Sequence, residues 1–413
     1  MAAPAARVGE LSRHWVRAGH DVTVLTGFPN HPTGVVPPEY RRKFRRLVSR
    51  ETLDGVRVVR TWLLPFPNRR AFKRMLNYVS FFVSSACTGL FLSRPDVIIA
   101  TSPQLLVGLS GWWLARCKRV PLVFEVRDLW PESLAAVGMG KSDSLLHRLL
   151  GKLAGFLYRH CEHIVVVTPA FKTHVMEYWS VPPEKISTVQ NGVETDLFSP
   201  QPSGLETRRE LSAEDKFVVC YIGTMGLAHG LETIVDAAGI LQDSAPAVLF
   251  LLVGEGAEKD RVVSLVRARG LTNVRLLGQQ PREKIPTFLS AADLCLVLLK
   301  KTELFKTVIP TKMLECMACG RPVILAVDGQ ARQIMEEAKA GIFVEPENSA
   351  ALAQAILQLR ADAQLRASLG ACGRDYILSH FSRERTAGEY IDVLASLVAF
   401  HSPRPSHSPD LRG

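Results

Sequence analysis

Ten short runs, apolar and rich in β-branched residues, recur along the chain with helical segments between them. The first half holds Asp21–Thr26, Val56–Val59, Asp96–Ala100, Pro121–Glu125 and His163–Val167. The second holds Phe217–Ile222, Val248–Val253, Val274–Leu277, Leu294–Val297 and Pro322–Leu325. A strand with one wet face alternates apolar and polar residues, whereas a near-continuous apolar run is buried on both faces. Alternation with helices then implies a parallel sheet between two helical layers. Because the pattern occurs twice, it predicts an α/β protein of two doubly wound, Rossmann-like domains. At 413 residues and 47% apolar, the chain can fill two cores. The expected division is 1–200 and 201–380, followed by a helix at 381–400 and a disordered Ser/Pro-rich tail at 401–413. The join is expected near Phe198–Gly204, a Pro/Ser/Gly linker.

Ligands of such sheets bind at the carboxyl ends of the strands. There the second half places Gly223-Thr-Met-Gly226, Gly254-Glu-Gly256 and Gly278-Gln-Gln-Pro281, the last followed by Arg282. Glycines let a diphosphate approach backbone N–H groups. The segment Val308 to Leu325 adds Lys312 and Glu315 at the start of a helix. Three residues apart, they share one face of the first turn. A lysine at a helix N-terminus suits phosphate, and the carboxylate suits a hydroxyl pair such as a ribose diol. A nucleotide-sugar offers both groups.

The net charge of +10 points to anionic partners. Nucleic acid is disfavoured, because the basic runs lack interleaved aromatics. Cys316 and Cys319 form the chain's Cys-x2-Cys, and without a second such pair they read as core thiols of a reducing cytoplasm rather than zinc ligands.

Several segments together resemble a known family. They are Gly19–Gly34, Arg127-Asp-Leu-Trp-Pro-Glu132, Asn191–Phe198, Gly223–Gly230 and the helix opening with Lys312 and Glu315. The chain is similar to nucleotide-sugar-dependent glycosyltransferases of the GT-B fold, in the retaining family 4. Within it, the likeness is to bacterial polysaccharide and O-antigen enzymes of the fucosamine-transferase type, from about Pro4 to Phe400. The second Glu of the family's Glu-x7-Glu motif, which binds the ribose, falls on Glu315, while the first would fall on Thr307. Pro310-Thr311-Lys312 matches the subfamily's Pro-Ser-Lys, which assigns Lys312 to the donor phosphates. Gly223, Thr224, Met225, Gly226, Gly254, Gly278, Gln279 and Arg282 are expected around the donor. His229 is expected to replace part of the charge of the family's missing Arg and Lys; a solvent-facing residue at a helix start is the alternative. Asp128 falls near the family's catalytic histidine and is expected to orient or deprotonate the acceptor hydroxyl, unless it is simply a helix N-cap. His31, Arg127 and Trp130 are expected to bind the acceptor.

The resemblance implies sugar transfer with retention, the leaving diphosphate helping to take the acceptor proton. The expected donor is a UDP-sugar and the expected acceptor a polyprenyl-diphosphate-linked saccharide. With no Asp-x-Asp motif, no metal or other cofactor is expected. Family members have a strand and a glycine-rich loop before the first helix, so the chain reads as lacking its first strand. A truncated nucleotide-sugar-binding remnant and a nucleotide-sugar epimerase are therefore the rival readings. Met75–Ser93 carries no charge but holds Asn77 and several serines, so a buried or interfacial helix is expected rather than a span. With the basic run Arg41–Arg46 it suits peripheral contact with the anionic inner face of a plasma membrane.

Overall fold

The computed structural model describes residues 3–30, 34–66, 71–133, 144–201 and 204–401. The chain groups into two compact units. One comprises Ser12–Pro131, Asp143–Val189 and the chain from Ala387 on; the other comprises Met1–Leu11, Glu132–Ser142 and Gln190–Thr386. The expected tail after His401 lies outside the described residues.

The first unit carries seven strands: β1 (Thr23–Gly27), β2 (Val48–Leu53), β3 (Val56–Thr61), β4 (Ile98–Thr101), β5 (Leu122–Val126), β6 (His163–Val166) and β7 (Ile186–Thr188). They form two sheets. In the order β1-β3-β2, β1 runs parallel to β3 and β2 antiparallel to it. In the order β4-β5-β6-β7 every pairing is parallel. Every residue of β5 and β6 is buried, as strands covered on both faces require. The helix Arg383–His401 contributes its later turns here: Trp15 Nε1 donates to the Ala387 carbonyl at 3.0 Å, and its ring meets Tyr390 edge-on at 5.3 Å.

The second unit has six parallel strands: β8 (Phe217–Ile222), β9 (Val248–Val253), β10 (Val274–Leu277), β11 (Leu294–Leu298), β12 (Val323–Ala326) and β13 (Gly341–Phe343). Their order is β10-β9-β8-β11-β12-β13, which is the Rossmann order, with its switch point between β8 and β11. Side chains of β8 alternate between the two cores. Val218 and Cys220 enter one with Met313 and Met317, while Val219 and Tyr221 enter the other with Ile234 and Val235. All ten expected runs are strands. Among the described residues, no helix is long and apolar enough to cross a membrane.

Candidate functional site

In the second unit the turns after β8 and β9 touch backbone to backbone. Gly254 has φ +150°, and a Cβ there would overlap the Gly223 carbonyl oxygen. The Met225 N–H donates to the Glu255 carbonyl at 2.9 Å, and the Met225 carbonyl accepts from Glu258 N–H at 2.9 Å. With both backbone groups engaged and its side chain fully buried in the core, Met225 offers nothing to a donor; its expected binding role is corrected to core packing. Thr224 and Gln279 are exposed beside these turns, and Gly226 and Gly278 are partly so.

The helix Thr311–Ala318 carries Lys312 and Glu315, with Pro310 at its N-cap position. Lys312 reaches back to the first glycine turn: a Cβ on Gly223 would lie 3.3 Å from Nζ. The amine donates to Tyr221 Oη at 3.0 Å and lies 4.4 Å from that ring's centre. Tyr221 Oη in turn donates to the Thr224 carbonyl at 2.7 Å, tying strand, turn and lysine together. Burial pushes the Lys312 pKa down to about 7, against the pull of Cys316 and Glu315. Burial, then the nearby Lys312, holds His229 down to about 3, although Nδ1 lies 3.3 Å from the Gly226 carbonyl. With no donor bound, His229 is therefore neutral at physiological pH.

Glu315 lies in a chain of alternating charges. Arg282 Nη1 donates to Glu315 Oε1 at 3.0 Å and Nη2 to Glu10 Oε1 at 2.7 Å, its guanidinium lying 4.9 Å from the Phe198 ring centre. Glu10 Oε2 also accepts from Arg383 Nε at 3.0 Å. Both terminal nitrogens of Arg282 are thus committed to carboxylates, so Arg282 holds Glu315 in place. Burial raises the Glu315 pKa and Arg282 opposes it. Glu10, Arg383, Tyr221 and Phe198 escape sequence reading. Arg7 and Glu10 stand among apolar residues of the first helix, which was the available signal.

In the first unit, Arg127, Asp128 and Trp130 follow β5. Arg127 N–H donates to Ser102 Oγ at 2.7 Å, Asp128 N–H lies 3.3 Å from the same oxygen, and Trp130 N–H donates to the Asp128 carbonyl at 3.1 Å. Ser102 is buried, so this turn is tied to the end of β4. Also buried is Glu125, which accepts from Thr101 Oγ1 at 2.7 Å; a carboxylate inside an apolar run was its signal. His31 lies outside the described residues. Cys220, Cys295, Cys316 and Cys319 are buried free thiols. Among the described residues no group of His, Cys, Asp and Glu is placed to hold a metal ion.

Two Rossmann-like units, one ending its strands in glycine turns beside a lysine and a carboxylate, define the GT-B class. Residues 205–376 match the family described as glycosyl transferases group 1, and residues 3–192 match the glycosyl transferase 4-like domain. The chain is thus built of a glycosyl transferase 4-like domain followed by a group 1 glycosyltransferase domain. It is 25% identical over 408 residues to the putative colanic acid biosynthesis glycosyl transferase WcaI of Escherichia coli K12, covering 93% of this chain and 94% of that protein. Among solved structures, sucrose-phosphate synthase of Thermosynechococcus elongatus superposes with a TM-score of 0.77 at 22% identity, covering 97% of this chain and 94% of that one. HepE of Anabaena, solved with UDP-glucose, superposes at 0.68 with 19% identity, covering 91% and 100%.

Proposed function

We propose that this protein transfers a sugar, with retention, from a UDP-sugar to a lipid-linked saccharide during assembly of a cell-surface polysaccharide. The observation that carries the proposal is the convergence of Lys312, Tyr221 and the Gly223 turn, with Glu315 held one helical turn away by Arg282. Lys312 and the helix N-terminus would neutralise the leaving diphosphate without a metal ion, and Glu315 would accept from the ribose hydroxyls. Asp128 would orient the acceptor hydroxyl, beside Arg127 and Trp130, in the first unit. Catalysis then consists of positioning and stabilisation of the departing phosphate. The colanic acid relative and the fold neighbour solved with UDP-glucose support this reading. Nothing in these matches favours an epimerase or a non-catalytic remnant. A lipid-linked acceptor also places the enzyme on the cytoplasmic face of a membrane.

Calorimetric titration with UDP-, GDP- and dTDP-sugars, without added metal, tests the proposal. A UDP-sugar should bind saturably, and Glu315→Ala should weaken it at least about tenfold, the loss of one charge-assisted pair. Asp128→Ala should lower transfer and leave donor binding intact. A folded protein that binds none of these donors would overturn the reading.

A further inference from the structure

The helix Ala71–Leu90 is built inside out. Beyond Lys73 and Arg74 in its first turn, its Asn, Ser and Thr residues bond to the fold. Asn77 Nδ2 donates to the Leu64 carbonyl at 2.7 Å, Ser80 Oγ accepts from Leu64 N–H at 2.9 Å, and Ser84 donates to the Trp62 carbonyl. Ser85 and Ser110 share a hydrogen bond of 2.9 Å between hydroxyls, and Thr88 and Thr61 share one of 3.1 Å. Apolar residues face outward: Phe72 is 74% exposed, Val79 44%, Val83 52% and Leu90 42%, with Met75 on the same face and Phe91 just beyond at 83%. Their spacing of three, four or seven residues draws one stripe along the helix. A soluble helix has the opposite arrangement, and an apolar face of this length marks an interaction surface.

Charge identifies what covers it. The helix Leu105–Lys118 packs against this one, and the helix Leu145–His160 packs against that. These three helices contain no Asp or Glu, in a chain with 40 of them. They carry two, two and three Lys or Arg respectively. The neighbours add exposed apolar residues of their own, Trp113 at 46% and Leu145 at 74%. Basic residues gather near the end of the stripe, where Lys118 Nζ donates to the Leu92 carbonyl at 2.6 Å and Arg94 Nη2 to the Arg119 carbonyl at 2.9 Å.

We infer that the outward face of Ala71–Leu90 lies in the headgroup region of an anionic lipid bilayer, with the basic residues of the three helices on the lipid charges. At 1.5 Å per residue the stripe is about 30 Å long, enough for a helix lying in the interface plane. Crossing is excluded for this helix by its hydropathy and by the hydrogen bonds of its polar face to the fold. This names the surface for the membrane contact proposed above, and rests on that reading for its purpose.

Vesicle co-sedimentation tests it, using the full chain with phosphatidylcholine vesicles and with vesicles containing about 30% phosphatidylglycerol. The wild type should bind the anionic vesicles and lose most of that binding at about 0.5 M NaCl. The double variant Val79→Asp, Val83→Asp should lose at least about tenfold in partitioning, because the apolar face supplies much of the affinity. Both substitutions are on the exposed face, and donor affinity measured without lipid reports that the variant is folded. Equal binding by variant and wild type, or no binding by either, overturns the inference. So does a lipid-free dimer that the double variant abolishes, since the stripe then belongs to a second copy. Donor titration is lipid-independent, so failure of the transferase reading is seen separately.

Discussion

Donor binding should take up a proton through Lys312. In the free protein, burial over the Tyr221 ring pushes this amine down to about 7, from an ordinary value of 10.5. At pH 8 about nine in ten of the amines are therefore neutral, and at pH 6 about one in ten. A diphosphate beside Nζ favours the ammonium. Binding at pH 8 should then take up about 0.9 proton, and at pH 6 about 0.1. Affinity should fall about tenfold per pH unit above 7, or about 1.4 kcal/mol per unit. Calorimetry of a UDP-sugar in phosphate and in Tris, whose ionisation enthalpies differ, reads the proton count directly. Lys312→Met should abolish both the uptake and the slope. The same shift carries a stability sign. Between pH 7 and 10.5 the unfolded chain holds a proton that the folded chain lacks, so stability rises with pH through that window. Lys312→Met should therefore gain most in melting temperature below pH 7. Uptake near zero at pH 8, with the donor bound, would refute the reasoning, as would undiminished uptake by the variant.

Two further outcomes follow from the second unit. Gly254→Ala should cost about 3 kcal/mol or more in urea unfolding, because its Cβ meets the Gly223 carbonyl at a φ that side chains rarely adopt; a change below about 0.5 kcal/mol would show that the two turns separate freely. Glu10→Gln should cost roughly 3–5 kcal/mol, since it takes from Arg383, 2% exposed, the carboxylate it pairs with. Unfolding at the wild-type denaturant midpoint would sink that claim.

Every strand inside a sheet was legible in the sequence, as were the edges β1, β4 and β10. β5, β8 and β9 lie inside their sheets and read as apolar runs, interrupted only by Glu125 in β5. β2, β7 and β13 are sheet edges: β2 is Val-Ser-Arg-Glu-Thr-Leu with four charged or hydroxyl residues in a row, and the others are three residues long. Where an edge strand is also short or polar, its composition carries little signal. The candidate site divides in the same way. Lys312 and Glu315 were legible because helix spacing is local. Arg282 was placed near the donor, but its bond to Glu10 is invisible to any local pattern. The charge state of His229 was not legible, because it depends on the degree of burial, which a helix-start position does not reveal.

The pairing of Glu10 with Arg282 joins residues 272 apart, and that of Glu10 with Arg383 joins residues 373 apart. Each partner lies in the same compact unit as Glu10, so this unit is assembled from segments far apart in sequence. During synthesis the first helix leaves the ribosome long before either arginine exists. Its buried carboxylate must wait, hydrated, until the 373-residue separation from Arg383 has been synthesised. Closing so long a loop is slow, and the entropy is lost before the contact forms. The unit carrying Lys312 and Glu315 can therefore be complete only after synthesis has passed Arg383, and the other unit, which packs Ala387 and Tyr390 on Trp15, only a few residues later.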